Sequence, residues 1–342
     1  MKRLLPLLLA VILVSPVSAQ DVGNGAVDGA ANSPQGKYPL LDRAREREAE
    51  RARASQDGKS GGPEISFGYL TLREALHSRE QAHVPDDSQC AGSLGAYRYA
   101  ALHNDVAASR TLEGDFLGAA ADFRRALACR PRDAEILGAL AGVLFDARDL
   151  AGAREVNNES LAINPRSVSG NRLAGNLDYV EERWADAIAR FRYVAASDDD
   201  RVRAGYGQLM FWLAQRRGGV ARPEFMVRTP GDGWPQPLLL YMRGEYTEAE
   251  LIDRINEGDS EDNTQPNTST DERLCEALFY VGEEYWARGQ IDVARLYFAA
   301  LVNIRVLYFL EHGLAIAEIA KLQVERGQPP FPGKRGQPSQ VD

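Results

Sequence analysis

From about residue 96 onward, apolar residues recur every three or four positions, the spacing that places them on one face of a helix. Each block ends on Pro, Gly or a polar turn. The stretch GAAADFRRALACRP, residues 118–131, shows the pattern most fully, with Ala119, Phe123, Ala126 and Pro131 at its key positions. Steps of 34 residues carry Ala119 to Ala153 and Ala187, and Phe123 to Asn157 and Phe191. The same steps carry Ala126 to Ser160 and Val194, and Pro131 to Pro165 and Asp199. Upstream, Ala107, Ala141 and Gly175 share one register, and Gly114, Arg148 and Glu182 fall at the turns. A fixed period of this length with this internal pattern is the tetratricopeptide signature.

The residue types follow from packing. Each unit is predicted to be two antiparallel helices. A small residue in the first helix faces a small residue in the second, so the axes approach to the short end of the usual ~8–10 Å range. The aromatic fills the wedge where the helices diverge, and the third position receives the next unit. Proline cannot continue a helix and sets the boundary. Asn157, a polar residue at the wedge, predicts a looser stack in the second unit.

The fold predicted is all-α, a tetratricopeptide helical-repeat solenoid with an N-terminal helix and a C-terminal capping helix. Residues 1–19 read as a signal peptide: a basic start, a short apolar run, and Val17 and Ala19 before a cut ahead of Gln20. Residues 20–62 lack an apolar face and read as a disordered or loosely helical arm. Residues 63–95 hold a short amphipathic helix that includes Phe67, Leu70 and Leu76. Units one to three and the first helix of a fourth span 96–218. Residues 219–270, rich in Pro, Gly and polar residues, form a connector with two short helices. Residues 271–327 restore the register with Gly282, Gly289, Ala294, Phe298 and Leu301, then add the cap, and 328–342 form a disordered tail.

The net charge of −9 argues against general nucleic-acid binding. The three cysteines are Cys90, Cys129 and Cys275. An exported chain is free to form disulfides, and both a Cys90–Cys129 bridge and buried free thiols remain open. No second apolar run is long enough to span a bilayer.

Catalytic patterns are absent from the sequence. None of His77, His83, His103 and His312 belongs to an H-E-x-x-H pair. Gly58-Lys59-Ser60 has Arg53 where a P-loop needs glycine, and the acidic run at 259–264 has Thr264 and Thr270 where an EF-hand needs Gly and Glu. Cys90 and His103 have no third orienting group. The expectation is a protein that is not an enzyme and takes no cofactor or metal.

In such a stack the first helix of each pair lines the concave side. Inward positions read off at helical spacing are Asn104 and Thr111; Glu135 and Phe145; Arg172, Asn176 and Tyr179; and Arg203, Tyr206 and Met210. These ten form the expected partner-binding groove, since aromatic and Arg side chains commonly anchor interfaces. Phe279, Glu283 and Trp286 are their equivalents in the late repeat, with packing against the cap or a dimer partner as the other reading.

The order of elements resembles the lipoprotein NlpI group of periplasmic tetratricopeptide proteins. The resemblance rests on RRALACRP, on the FWLAQ helix and on a Trp-containing break. It is most specific in ERLCEALFYVGEEYWARGQIDVARLYFAALV followed by EHGLAIAEIAKL. It covers roughly residues 66–326. It implies a homodimeric, non-enzymatic periplasmic adaptor that binds peptidoglycan hydrolases and a processing protease in envelope maintenance. The family's lipidated cysteine has no counterpart here, because Gln20 follows the expected cut. No lipid anchor, membrane span or nucleic-acid partner is therefore expected. The alternative is a structural component of an envelope assembly that acts through its dimer or convex surfaces.

Overall fold

A computed structural model describes residues 36–56, 106–107, 110, 115–225, 233–257, 269–304 and 309–325. Among them are twelve helices and no strand. In chain order they are α1 (Pro39–Gln56), α2 (Phe116–Cys129), α3 (Ala134–Asp146), α4 (Leu150–Ile163), α5 (Val168–Val180), α6 (Trp184–Ser197), α7 (Arg201–Arg217), α8 (Gln236–Met242), α9 (Glu248–Asn256), α10 (Thr270–Ala287), α11 (Ile291–Ile304) and α12 (Leu310–Glu325). The chain is an all-α helical-repeat protein.

The starts of the helices are set locally. Asp115, Asp133, Asp149, Ser167 and Asp200 cap α2, α3, α4, α5 and α7, each side chain accepting from backbone N–H groups in the first turn. The turns within pairs are equally regular. Arg148 and Glu182, 34 residues apart, take φ of 67° and 60°, and Gly289 takes 76° at the same place in the late pair. A left-handed residue there satisfies carbonyls at the end of the first helix, as the 148 and 182 backbone N–H bonds to Phe145 and Tyr179 illustrate.

The packing register is as the sequence predicts. Ala107, Ala119, Ala141, Ala153 and Ala187 have no solvent exposure. A Cβ added to Gly175 would stand 2.8 Å from the Phe191 ring, and one added to Gly282 would stand 2.9 Å from the Phe298 ring. Both glycines therefore exist to let an aromatic wedge sit against the helix backbone. Asn157 does not loosen the stack. It is 1% exposed, and its Nδ2 donates to the Gly170 carbonyl at 3.0 Å, which ties α4 to the start of α5. Ser160 likewise donates to the Ala134 carbonyl at 2.7 Å. The two polar substitutions in the pattern replace apolar contact with hydrogen bonds to backbone.

Residues 39–56, expected within a disordered or loosely helical arm, form the integral helix α1. Leu40, Leu41 and Ala44 bury completely or nearly so, with α1 packed on α9, α10 and α11. The apolar contribution is confined to the first turns, and charge carries the rest. Asp271 accepts from Arg47 at 2.7 Å and from Arg51 at 2.8 Å. Arg51 also donates to the Ile304 carbonyl. A periodic apolar stripe is absent because ion pairs hold the second half. The helix anticipated at 63–95 lies outside the described residues, as do the leader and the tail.

The connector forms its two short helices, α8 and α9. Through them the chain returns, so that α10 packs on α7 and α12 packs on α5, α10 and α11. Among the described residues no helix is long and apolar enough to cross a membrane. Cys129 is engaged in a disulfide and Cys275 is a buried free thiol; Cys90 lies outside the described residues.

Candidate functional site

The first helices α3, α5 and α7 stand side by side, and the returning half of the chain faces them across a cavity of about 1280 Å³. One wall holds Glu135, Phe145, Arg172, Asn176, Arg203, Tyr206 and Met210, seven of the ten residues expected to face a groove. The opposite wall holds Trp234, Glu272, Glu276, Tyr280, Phe309 and Glu311, none of which sequence periodicity pointed to. Glu135 and Arg203 are exposed at the rim, whereas Phe145 and Met210 are 1% and 3% exposed and form the apolar floor. Asn104 and Thr111 lie outside the described residues.

Tyr179 needs correction. It faces away from the cavity and has no solvent exposure, so a partner cannot touch it without unfolding the site. Its hydroxyl donates to Glu283 at 2.6 Å, and Trp184 lies edge-on at 5.2 Å between ring centres. Arg217 donates to the same Glu283 at 2.5 Å and to Glu318 of α12 at 3.2 Å. Its guanidinium lies 3.9 Å from the centre of the Trp286 ring. Of the late-repeat equivalents, Glu283 and Trp286 belong to this lock between α5, α7, α10 and α12, while Phe279 is buried against Phe298 and Tyr280. All three pack inside the chain, Phe279 and Trp286 on Phe298 of α11 and Glu283 on Tyr179 and Arg217. Burial pushes the Glu283 carboxyl up, opposed by Arg217. Burial alone would lower the Arg217 pKa, and Glu283, Tyr179 and Glu318 together more than reverse that.

Tyr206 lines the cavity but is also committed within the chain. Its hydroxyl lies 2.9 Å from both oxygens of Glu276, and the Trp234 indole N–H donates to the same carboxyl at 2.5 Å. Glu311 accepts from Tyr280 at 3.1 Å. Burial, and then the charge of Glu311, push Glu276 well above the usual carboxylate range; burial also raises Glu311, against the Tyr280 hydrogen bond and the charge of Arg172. Arg203 pairs with Asp198 at 3.2 Å and Asp200 at 3.5 Å at the start of its own helix. Arg172 differs from these: burial lowers its pKa, and Asp198 and Glu311 act on it only through their charge.

At the end of the cavity, Asp146 is raised to about 7 by burial against the pull of Arg148. The Arg148 guanidinium reaches 3.5 Å from where a Cβ on Gly313 of α12 would stand, and neither of its Nη atoms has a hydrogen-bond partner among the described residues. His312, next to it, is buried and lowered to about 4, first by burial and then by Arg148. Among the described residues no group of three His, Cys, Asp or Glu is placed to hold a metal ion. No protein-family model matches the chain.

The missed wall comes from residues 234–311, all C-terminal to the repeat it faces. No local period in the sequence points to it, because a side chain such as Glu276 is identified by what it meets across the cavity, the Tyr206 hydroxyl. Thr270-to-Ala287 is buried from Thr270 to Glu284 apart from Asp271.

Proposed function

We propose that the chain is an exported, periplasmic tetratricopeptide adaptor of the NlpI-like kind, without enzymatic activity. It binds protein partners through the cavity between α3, α5, α7 and the returning α10 and α12. In this reading the partners are peptidoglycan hydrolases and their processing protease, and the working unit is a homodimer. The observation that carries the reading is the convergence of seven expected groove residues on one cavity large enough to admit a peptide segment. The disulfide at Cys129 is in keeping with an oxidising compartment.

The test is affinity purification from native periplasm followed by mass spectrometry, with Arg172→Ala and Asn176→Ala as controls. Hydrolase and protease recovery that falls with these variants supports the adaptor. Recovery indifferent to them, with dimer formation intact by light scattering, supports the structural alternative, in which the dimer or convex surface does the work. Tyr179 is unsuitable for this test, because its replacement disrupts the core rather than the groove.

A further inference from the structure

Arg172 and Asn176 lie one turn apart on α5, where side chains are neighbours, and both face the cavity. Asn176 is 4% exposed, and its Oδ1 is buried without a hydrogen-bond partner. Neither side chain makes a hydrogen bond or ion pair with a described residue, in contrast to Tyr206 and Arg203 on the next helix. A half-sequestered guanidinium that feels Asp198 and Glu311 only at a distance is costly, and so is a buried amide oxygen without a partner. The pair therefore has a defined chemistry. The guanidinium presents parallel donors that match two carboxylate oxygens. The amide offers one more donor and a free acceptor. A carboxylate with an N–H two bonds away satisfies both residues, and the last residue of a polypeptide has that arrangement. The carboxyls opposite are poor competitors as a cation site, because Glu276 and Glu311 already accept from Tyr206, Trp234 and Tyr280.

We propose that Arg172 and Asn176 receive the free C-terminal carboxylate of a partner polypeptide. The terminal side chain then lies on the apolar floor formed by Phe145, Leu173 and Met210. This rests on the adaptor reading and names what the adaptor grips.

The experiment uses the full chain and two random hexapeptide libraries, identical except that one ends in free acids and the other in amides. Expected is enrichment from the free-acid library alone. The best resynthesised peptide should then bind roughly tenfold to hundredfold more tightly than its own amide. Arg172→Gln should lose a similar factor and Asn176→Ala a smaller one. The comparison of acid with amide needs no variant, so a misfolded mutant cannot mask the answer. Equal enrichment from both libraries, or none from either, overturns the proposal. Enrichment of Lys- and Arg-rich peptides regardless of terminus, lost in Glu311→Gln, overturns it in favour of a cationic segment on the opposite wall. If periplasmic partners are still captured while acid and amide behave alike, the carboxylate site falls and the adaptor stands.

Discussion

The stack of α3 to α6 and the closure of α10 and α12 onto α5 and α7 are held by different forces. The stack uses alanine or glycine against an aromatic wedge, repeated every 34 residues, with backbone hydrogen bonds where Asn157 and Ser160 interrupt it. The closure uses buried ionisable groups: Arg217 with Glu283 and Glu318, and Glu276 and Glu311 held by Tyr and Trp donors. Apolar packing depends on shape and tolerates small adjustments. A buried ion network depends on every member, since removal of one leaves a charge without compensation. The stack should therefore respond to volume and the closure to charge.

The largest expected effect is in the closure. Arg217→Met keeps the bulk against Trp286 but leaves the buried Glu283 with no cation and only the Tyr179 hydroxyl, and Glu318 with Lys321 alone, and should cost about 3–5 kcal/mol in urea denaturation. A cost near that of a surface Arg would erase the contrast between the two regions. Next, Ala187→Leu should force α5 and α6 apart and cost about 1–3 kcal/mol or more, read as a lowered thermal midpoint. Gly175→Ala and Gly282→Ala sharpen the comparison, because the wedge is common to both regions. With Phe191 and Phe298 equally close, both should cost about 1–3 kcal/mol in the same assay, and alike.

A smaller effect concerns pH. Native Asp146 keeps a proton between about pH 4 and 7 that its unfolded form releases, so its contribution to stability falls as pH rises through that window. Native His312 lacks a proton that the unfolded form carries between about pH 4 and 6.5, so its contribution rises with pH. The two slopes oppose each other around Arg148. Asp146→Asn should gain stability relative to the wild type between pH 4.5 and 7, and His312→Gln should lose its relative advantage over the same range, in denaturant titrations at each pH. Smallest of all, Arg172→Leu should leave the thermal midpoint unchanged or raise it slightly, since it removes a cation that no described residue pairs directly. A clear fall would assign Arg172 to the fold and not to a ligand.

The repeat was legible because each unit solves the same packing problem with its nearest neighbours. Ala153, Phe191 and Gly282 could be placed from spacing alone. So could seven residues of one cavity wall, because the inward face of a first helix follows from its packing face. Tyr179 was misplaced for a reason the period cannot contain: the returning α10 supplies Glu283 at its hydroxyl. Helix α1 was missed because Arg47 and Arg51 find Asp271, some 220 residues away, where a local reading sees only a solvated charge run.

By itself, then, the sequence determined the all-α repeat, its register, its turns at Arg148 and Glu182, and which helices face inward. These depend on neighbours at fixed short separation. Only the tertiary structure decided that the concave face is closed by the chain's own later helices. It also decided which inward residues are spent on that closure and which, Arg172 and Asn176, make no hydrogen bond or ion pair with a described residue. The physical reason is that hydrogen bonds and ion pairs between distant segments leave no period in the chain. Their members are recognised only once folding has brought the two halves together.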